Sequence, residues 1–161
     1  MVVAPDGPPL ELLTTARTAT LATISTSGVP RLVPVCFAAV ADPDAEQGIR
    51  VYSPLDEKPK RVSDPTSLAR VRDIAADPRV SMLLERWSED WSALAWLRLE
   101  GLAVLVEPET CGTEHSAAVT ALRERYPQYR GHELETRPLI RITPLRVTDW
   151  NAAEPLAEDD D

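Results

Sequence analysis

The sequence predicts a mainly β (α+β) domain, about six strands closing into a small antiparallel barrel decorated with helices. Three observations lead there. The strand-like runs are mostly consecutive, with helical stretches inserted between them. The regular strand–helix alternation that a doubly wound sheet requires is absent. Several of the strand runs are long and carry Gly or Pro in their middle, as a sheet must where it bends to close. A chain of 161 residues, 43% of them hydrophobic, is enough for one domain with a real core.

The elements follow in order. Residues 1–9 hold three prolines and a glycine and read as a flexible arm before a domain spanning 10–151. A short helix is expected from Leu10 to about Ala16. "TATLATI" alternates small polar and apolar residues as a half-buried strand does, and "STSGVP" supplies the turn. "RLVPVCFAAV" reads as one returning strand, at an edge or bulged where Pro34 removes a donor. "IRVYS" is the third strand. The next helix carries a cap at Ser63 or Asp64, Pro65 at its first position, and a stop at Asp77-Pro78. Leu68, Val71 and Ile74 share its apolar stripe while Arg70, Arg72 and Asp73 point away. "RVSMLLERW" and "SALAWLRLEGLAVLVE" form an antiparallel pair, with a bend or bulge at Gly101. A helix over Glu109–Tyr126 and the final strand "PLIRITPLRVTDW" complete the domain, before an acidic tail at 152–161 that reads as disordered.

The formal charge of -9 and a pI near 4.7 disfavour nucleic acid and anionic membranes as partners. Two cysteines, Cys36 and Cys111, and two histidines lack metal-ligand spacing, so no metal site is expected. No run approaches ~20 apolar residues and "MVVAPDGPP" is no signal peptide, which points to a reduced, cytoplasmic protein.

Against that acidic background, "SPLDEKPKRVSDP" places Lys58, Lys60 and Arg61 within four positions, between a strand end and a helix start. A solvated loop paired with Asp56 and Glu57 is the bland explanation. Lys58 and Lys60 alternate around Pro59, however, and in an extended segment would project to one side. With helix amides downstream and Ser53 as a neutral donor, they form a candidate phosphate cradle. Trp87 and Trp91 flank a polar hairpin, where they can stack on a ring system or pack on a second subunit. No nucleophile elbow, G-x-G-x-x-G or P-loop pattern occurs. His115 is expected at the helix surface and His132 in a loop. No catalytic residue is assigned, and chemistry, if any, is expected from a bound cofactor.

In their order and spacing, "ATLATISTSGVPRLVPV", "VYSPLDEKPKR", "DPRVSMLLERWSEDWS" and "LRLEGLAVLVE" resemble the pyridoxamine 5'-phosphate oxidase-like split β-barrel superfamily. Within it they look most like the deazaflavin (coenzyme F420)-dependent oxidoreductases, which include F420-dependent biliverdin reductases. The resemblance spans about Leu10 to Trp150 and implies a homodimer of six-stranded split β-barrels with cofactor sites at the subunit seam. It implies that Ser53, Lys58 and Lys60, with Arg61, hold the cofactor phosphate. Pro34 and Val35 would line the ring, Trp91 of "DWS" would lie near it, and Arg79 of "DPR" would reach the phosphate or tail. Asp73 stands where the family commonly has Asn. The implied activity is hydride transfer between F420 and an unsaturated small-molecule acceptor, with biliverdin-like tetrapyrroles, quinones and unsaturated cyclic compounds all open. The alternatives are an FMN-dependent oxidase-like enzyme and a non-catalytic flavin- or F420-binding module.

Overall fold

Seven strands form one antiparallel sheet: β1 (Ala19–Ile24), β2 (Pro30–Val35), β3 (Ala38–Ala41), β4 (Ile49–Pro54), β5 (Arg79–Arg86), β6 (Ala95–Val106) and β7 (Leu139–Asn151). The structure is a computed structural model that describes residues 8–55 and 68–153. The strand order is β2-β1-β5-β6-β7-β4-β3, so the sheet is not closed and β2 and β3 are its two edges.

The count exceeds the expected six because the second predicted strand is two. Beyond Val35 the chain turns at Cys36 and Phe37. β2 pairs with β1 (Ala19 opposite Val35), whereas β3 pairs with β4 (Ala38 opposite Tyr52). The run "PVCFAAV" is apolar throughout, and nothing local marks where it changes partner. Phe37, at the turn, is fully buried. Its amide donates to the Tyr126 hydroxyl at 3.1 Å, which satisfies a backbone group that left the ladder.

Other expectations hold for the reasons given. Gly28 closes the β1–β2 turn at φ +79°, its amide donating to Ser25 at 2.8 Å. Pro34 lies on an edge strand, opposite Thr20, where a missing N–H costs no ladder bond. Between β6 and β7 the register slips at Glu100/Gly101: Glu100 opposes Arg146, Gly101 opposes Pro144, and Leu145 is the extra residue. A Cβ on Gly101 would sit 2.1 Å from the Thr143 carbonyl oxygen, so this close crossing of strands needs glycine.

A short 3-10 turn (Pro8–Glu11) leads into α1 (Leu12–Thr15), which buries Leu12 and Leu13. α2 covers Ala69–Ala76 and ends as expected, with Asp77 extended and Pro78 following. The expected cap at Ser63 or Asp64, and Pro65, lie outside the described residues. Within them Leu68 is the N-cap, extended and without a side-chain cap. α3 runs Gly112–Arg125. The main core gathers Leu21, Val51, Met82, Leu84, Leu97, Leu99, Ile140 and Ile142 with Leu12 and Leu13. A second cluster under α3 contains Tyr52, Val119, Leu122, Tyr126, Tyr129 and Leu139.

Two polar residues expected on helix surfaces are buried. His115 is 3% exposed, and its Nε2 lies 2.7 Å from the Arg137 carbonyl oxygen, tying α3 to the chain that enters β7. Asp73 is equally enclosed. In each case the partner is far away in sequence, beyond the reach of helical periodicity.

Candidate functional site

β4 ends at Ser53-Pro54, the point from which the cationic segment departs. Lys58, Lys60 and Arg61 themselves lie outside the described residues. Ser53 is buried, and its hydroxyl donates to the Cys36 carbonyl oxygen at 2.9 Å. A serine has one proton to donate. In this arrangement it holds the strand end against the β2–β3 turn and does not present a donor outward. The bond brings the strand end that leads to the cations next to the Pro34-Val35 stretch expected to line a ring.

Those two residues divide by the pleat. Val35 is buried in the main core, and Pro34 is exposed on the outer face. β2 pairs only with β1 among the described strands, so its outer edge carries backbone carbonyls with no strand partner, while Pro30 and Pro34 bring no N–H to it. Pro34 also lines a cleft of about 270 Å3 together with Arg17, Thr20, Leu83, Glu85 and Trp87.

Arg79 opens β5 and is exposed. It forms a two-pronged ion pair with Asp77, Nε to Oδ1 at 3.0 Å and Nη2 to Oδ2 at 2.6 Å. These hydrogen bonds hold the Asp77 carboxyl down at about 2. Arg79 lines a separate cleft of about 220 Å3 with Thr23, Ile24, Pro30 and Ser81. The cleft forms where β1 and β5, paired from Thr20–Leu83 to Ala22–Ser81, stop pairing.

Behind that cleft sits a network that periodicity missed. Asp73 of α2 accepts from the Thr23 hydroxyl and from Arg31 Nε, both at 2.8 Å to the same carboxylate oxygen. This fastens α2, the helix that follows the cationic segment, onto the β1–β2 hairpin. The signal was present in β1: Ala19, Leu21 and Thr23 share the inward phase, and a polar residue there needs a buried partner.

Trp91 begins a 3-10 turn (Trp91–Ala93) capped by Asp90, which accepts from the Ser92 amide at 3.0 Å and the Ser92 hydroxyl at 2.7 Å. Its ring is 71% exposed, and Trp87 is 69% exposed. Trp96 is half-buried opposite Trp150. Among the described residues no three His, Cys, Asp or Glu side chains are grouped to hold a metal ion, and no helix is long and apolar enough to cross a membrane.

The fold is shared with known structures. A conserved hypothetical protein of Mycobacterium tuberculosis superposes with a TM-score of 0.65 at 23% identity, over 98% of this chain and 95% of that one. A FAD-binding protein of Mesorhizobium loti gives 0.58 at 18% identity, over 88% and 90%. An F420 reductase gives 0.55 at 21% identity, over 89% and 98%. At such identities the likeness is one of fold. No curated protein matches the chain. The family model described as pyridoxamine 5'-phosphate oxidase matches residues 10–151, nearly the whole of the chain. The chain belongs to the pyridoxamine 5'-phosphate oxidase family.

Proposed function

We propose that this protein is an oxidoreductase that uses coenzyme F420 to reduce an unsaturated organic acceptor. The observation that carries the reading is the Ser53–Cys36 hydrogen bond, which sets the strand end leading to Lys58, Lys60 and Arg61 beside the end of β2. A flat heterocycle with a phosphate-bearing tail has matching parts. Its polar ring edge can pair with the unpartnered backbone of β2, and its phosphate with the cations. Charge-assisted contacts of that kind contribute about 1.5–3 kcal/mol each. The F420 reductase and FAD-binding protein that share the fold support a cofactor of this general shape.

A bound reduced deazaflavin would supply a hydride for one carbon of the acceptor's double bond, with solvent as the source of the proton for the other. The chain's own part is positioning. Pro34 offers an apolar surface beside the ring edge, and the Thr23–Asp73–Arg31 network fixes the helix that follows the cationic segment in the chain. Arg79, neutralised by Asp77, adds little to cofactor binding. The outer face of the β1–β2 hairpin carries Leu32, 67% exposed. We propose that a second copy of the chain covers it, in a homodimeric split β-barrel with the cofactor at the seam.

The test is a titration of the full-length protein with F420, FMN and FAD, followed by absorbance and melting temperature. F420 is expected to bind and raise the melting temperature, by the equivalent of about 2.7 kcal/mol at a hundredfold excess over Kd. Lys58→Ala with Lys60→Ala abolishes binding without unfolding the protein. The second reading, an FMN-dependent oxidase-like enzyme, is favoured by the shared fold of the FAD-binding protein. It predicts FMN binding and oxygen-dependent turnover instead.

A further inference from the structure

The cleft beside Pro34 has a construction of its own. One wall is the segment before β1, where Arg17 lies over the Tyr126 ring, 4.7 Å from its centroid, and donates through Nη2 to the Arg125 carbonyl at 2.6 Å. The Tyr126 hydroxyl in turn donates to the Arg17 carbonyl at 2.9 Å. Arg125 anchors the same wall from behind, donating to the carbonyls of Thr14, at 3.0 Å, and Ala16. Neither arginine has a carboxylate at ion-pair distance among the described residues, although the chain holds 26 acidic side chains. Of the two, Arg17 lines the cleft; among the described residues one of its five N–H groups is engaged in a hydrogen bond, and the ring and the carbonyl fix its place.

The apolar part of the lining is Trp87, Pro34 and Leu83, with Trp87 exposed. Glu85 adds one negative charge to the lining. A volume of about 270 Å3 accommodates one small fused-ring system.

Resting on the reading above, we propose that this cleft is the acceptor's subsite and that it takes a planar conjugated molecule bearing a single carboxylate. The ring lies against Trp87 and Pro34, and the carboxylate pairs with Arg17. Pro34 is common to this cleft and to the β2 edge, so a molecule held here borders the place proposed for the cofactor ring. Glu85 repels a second anionic group, which selects monoanions over dianions.

The test is isothermal calorimetry on the full-length protein with 2-naphthoate and its neutral analogue 2-naphthamide, before and after saturation with F420. The naphthoate is expected to bind about tenfold or more tightly than the amide. Arg17→Met brings the naphthoate down to the amide's affinity and leaves the amide unchanged, and Arg17→Lys recovers part of the difference. Trp87→Ala weakens both ligands; as an exposed side chain its loss leaves folding intact. Equal affinities for the two ligands, or no response to Arg17→Met in a protein of unchanged melting temperature, overturn the proposal. Displacement of naphthoate by F420 also overturns it, because the cleft would then belong to the cofactor. Naphthoate binding in a protein that does not bind F420 sinks the cofactor reading and leaves the anion site standing.

Discussion

The hydroxyl of Ser53 donates to the carbonyl oxygen of Cys36 at 2.9 Å, joining the end of β4 to the turn where β2 hands over to β3. Cys36 lies between β2 and β3, and Ser53, still paired with Ile140 of β7, is one residue past the last β3–β4 pair, so on that side the side chain does work that a ladder bond would otherwise do. The contact also sets the spacing between the β2 edge and the start of the cationic segment. Ser53 thus ties the end of β4 to the β2–β3 turn.

Ser53→Ala should therefore act mainly on stability. It removes the partner of the Cys36 carbonyl, and losing such a bond costs about 1–2 kcal/mol. In urea unfolding the midpoint should fall accordingly, while the Kd for F420 changes far less than in the Lys58/Lys60 double variant. A variant of normal stability that no longer binds F420 would return the hydroxyl to a direct role in phosphate contact.

Asp73 should prove one of the costlier polar positions. Its carboxylate accepts from Thr23, 2% exposed, and from Arg31, whose side chain is half-exposed. Asp73→Ala leaves the Thr23 hydroxyl buried and unpaired, at a cost of about 2–3 kcal/mol. In a Thr23→Val background the same substitution should cost clearly less, since the stranded group is already gone. A double-mutant cycle by urea unfolding measures this coupling, and simple additivity would mean the two side chains do not share a bond in solution.

How much of this was legible depended on whether the signal was local. The turn at Gly28, the edge position of Pro34, the helix stop at Asp77-Pro78 and the bulge at Gly101 each follow from what one residue can or cannot do with its backbone. The split of "PVCFAAV" into β2 and β3 did not, because pairing with β1 or with β4 is decided by tertiary neighbours. Asp73 and His115 were misplaced for the same reason: helical periodicity sees neither Arg31 nor Arg137. Ser53, Pro34 and Val35 were legible as a motif, but their roles separate only once the pleat and the Cys36 carbonyl are seen. The Arg17–Tyr126 pairing joins residues 109 positions apart and left no trace in the sequence pattern.

Gly101→Ala should be severely destabilising, although the residue is only half-buried. The added Cβ meets backbone, Thr143 O at 2.1 Å and Pro144 Cα at 2.9 Å, and backbone cannot rotate away. Relief requires β6 and β7 to separate at the bulge. A loss of about 3 kcal/mol or more is expected, seen as a drop in melting temperature. The adjacent Leu102→Ala, at a 42% exposed position, is the control and should stay within about 1 kcal/mol. A Gly101→Ala protein that melts with the wild type would show that the strands do not cross this closely.

The last prediction concerns pH and the clamp that holds α3 to the sheet. Glu114 of α3 accepts from Tyr52 of β4 at 2.8 Å and from Arg141 of β7 at 2.9 and 3.1 Å. Burial pushes the Tyr52 phenol up, and its hydrogen bond to Glu114 pushes it further, from 10.0 to about 12. For Glu114, burial acts upward, but the hydrogen bonds from Arg141 and Tyr52 outweigh it and the carboxyl lies below its ordinary 4.5. The signs follow from linkage. A raised phenol contributes stability that is whole below pH 10 and is lost as pH climbs through about 12. A lowered carboxyl contributes stability that is whole above about pH 4.5 and is lost as pH falls through its folded value. Discounted for solvent screening, the phenol's contribution is about 1–2 kcal/mol. Tyr52→Phe should lower stability at pH 7 by about 1–2 kcal/mol through the lost hydrogen bond and flatten the decline between pH 10 and 12. Urea unfolding at pH 7, 10 and 11.5 measures both. Parallel declines for wild type and variant across the alkaline range would show that the phenol is not held by Glu114.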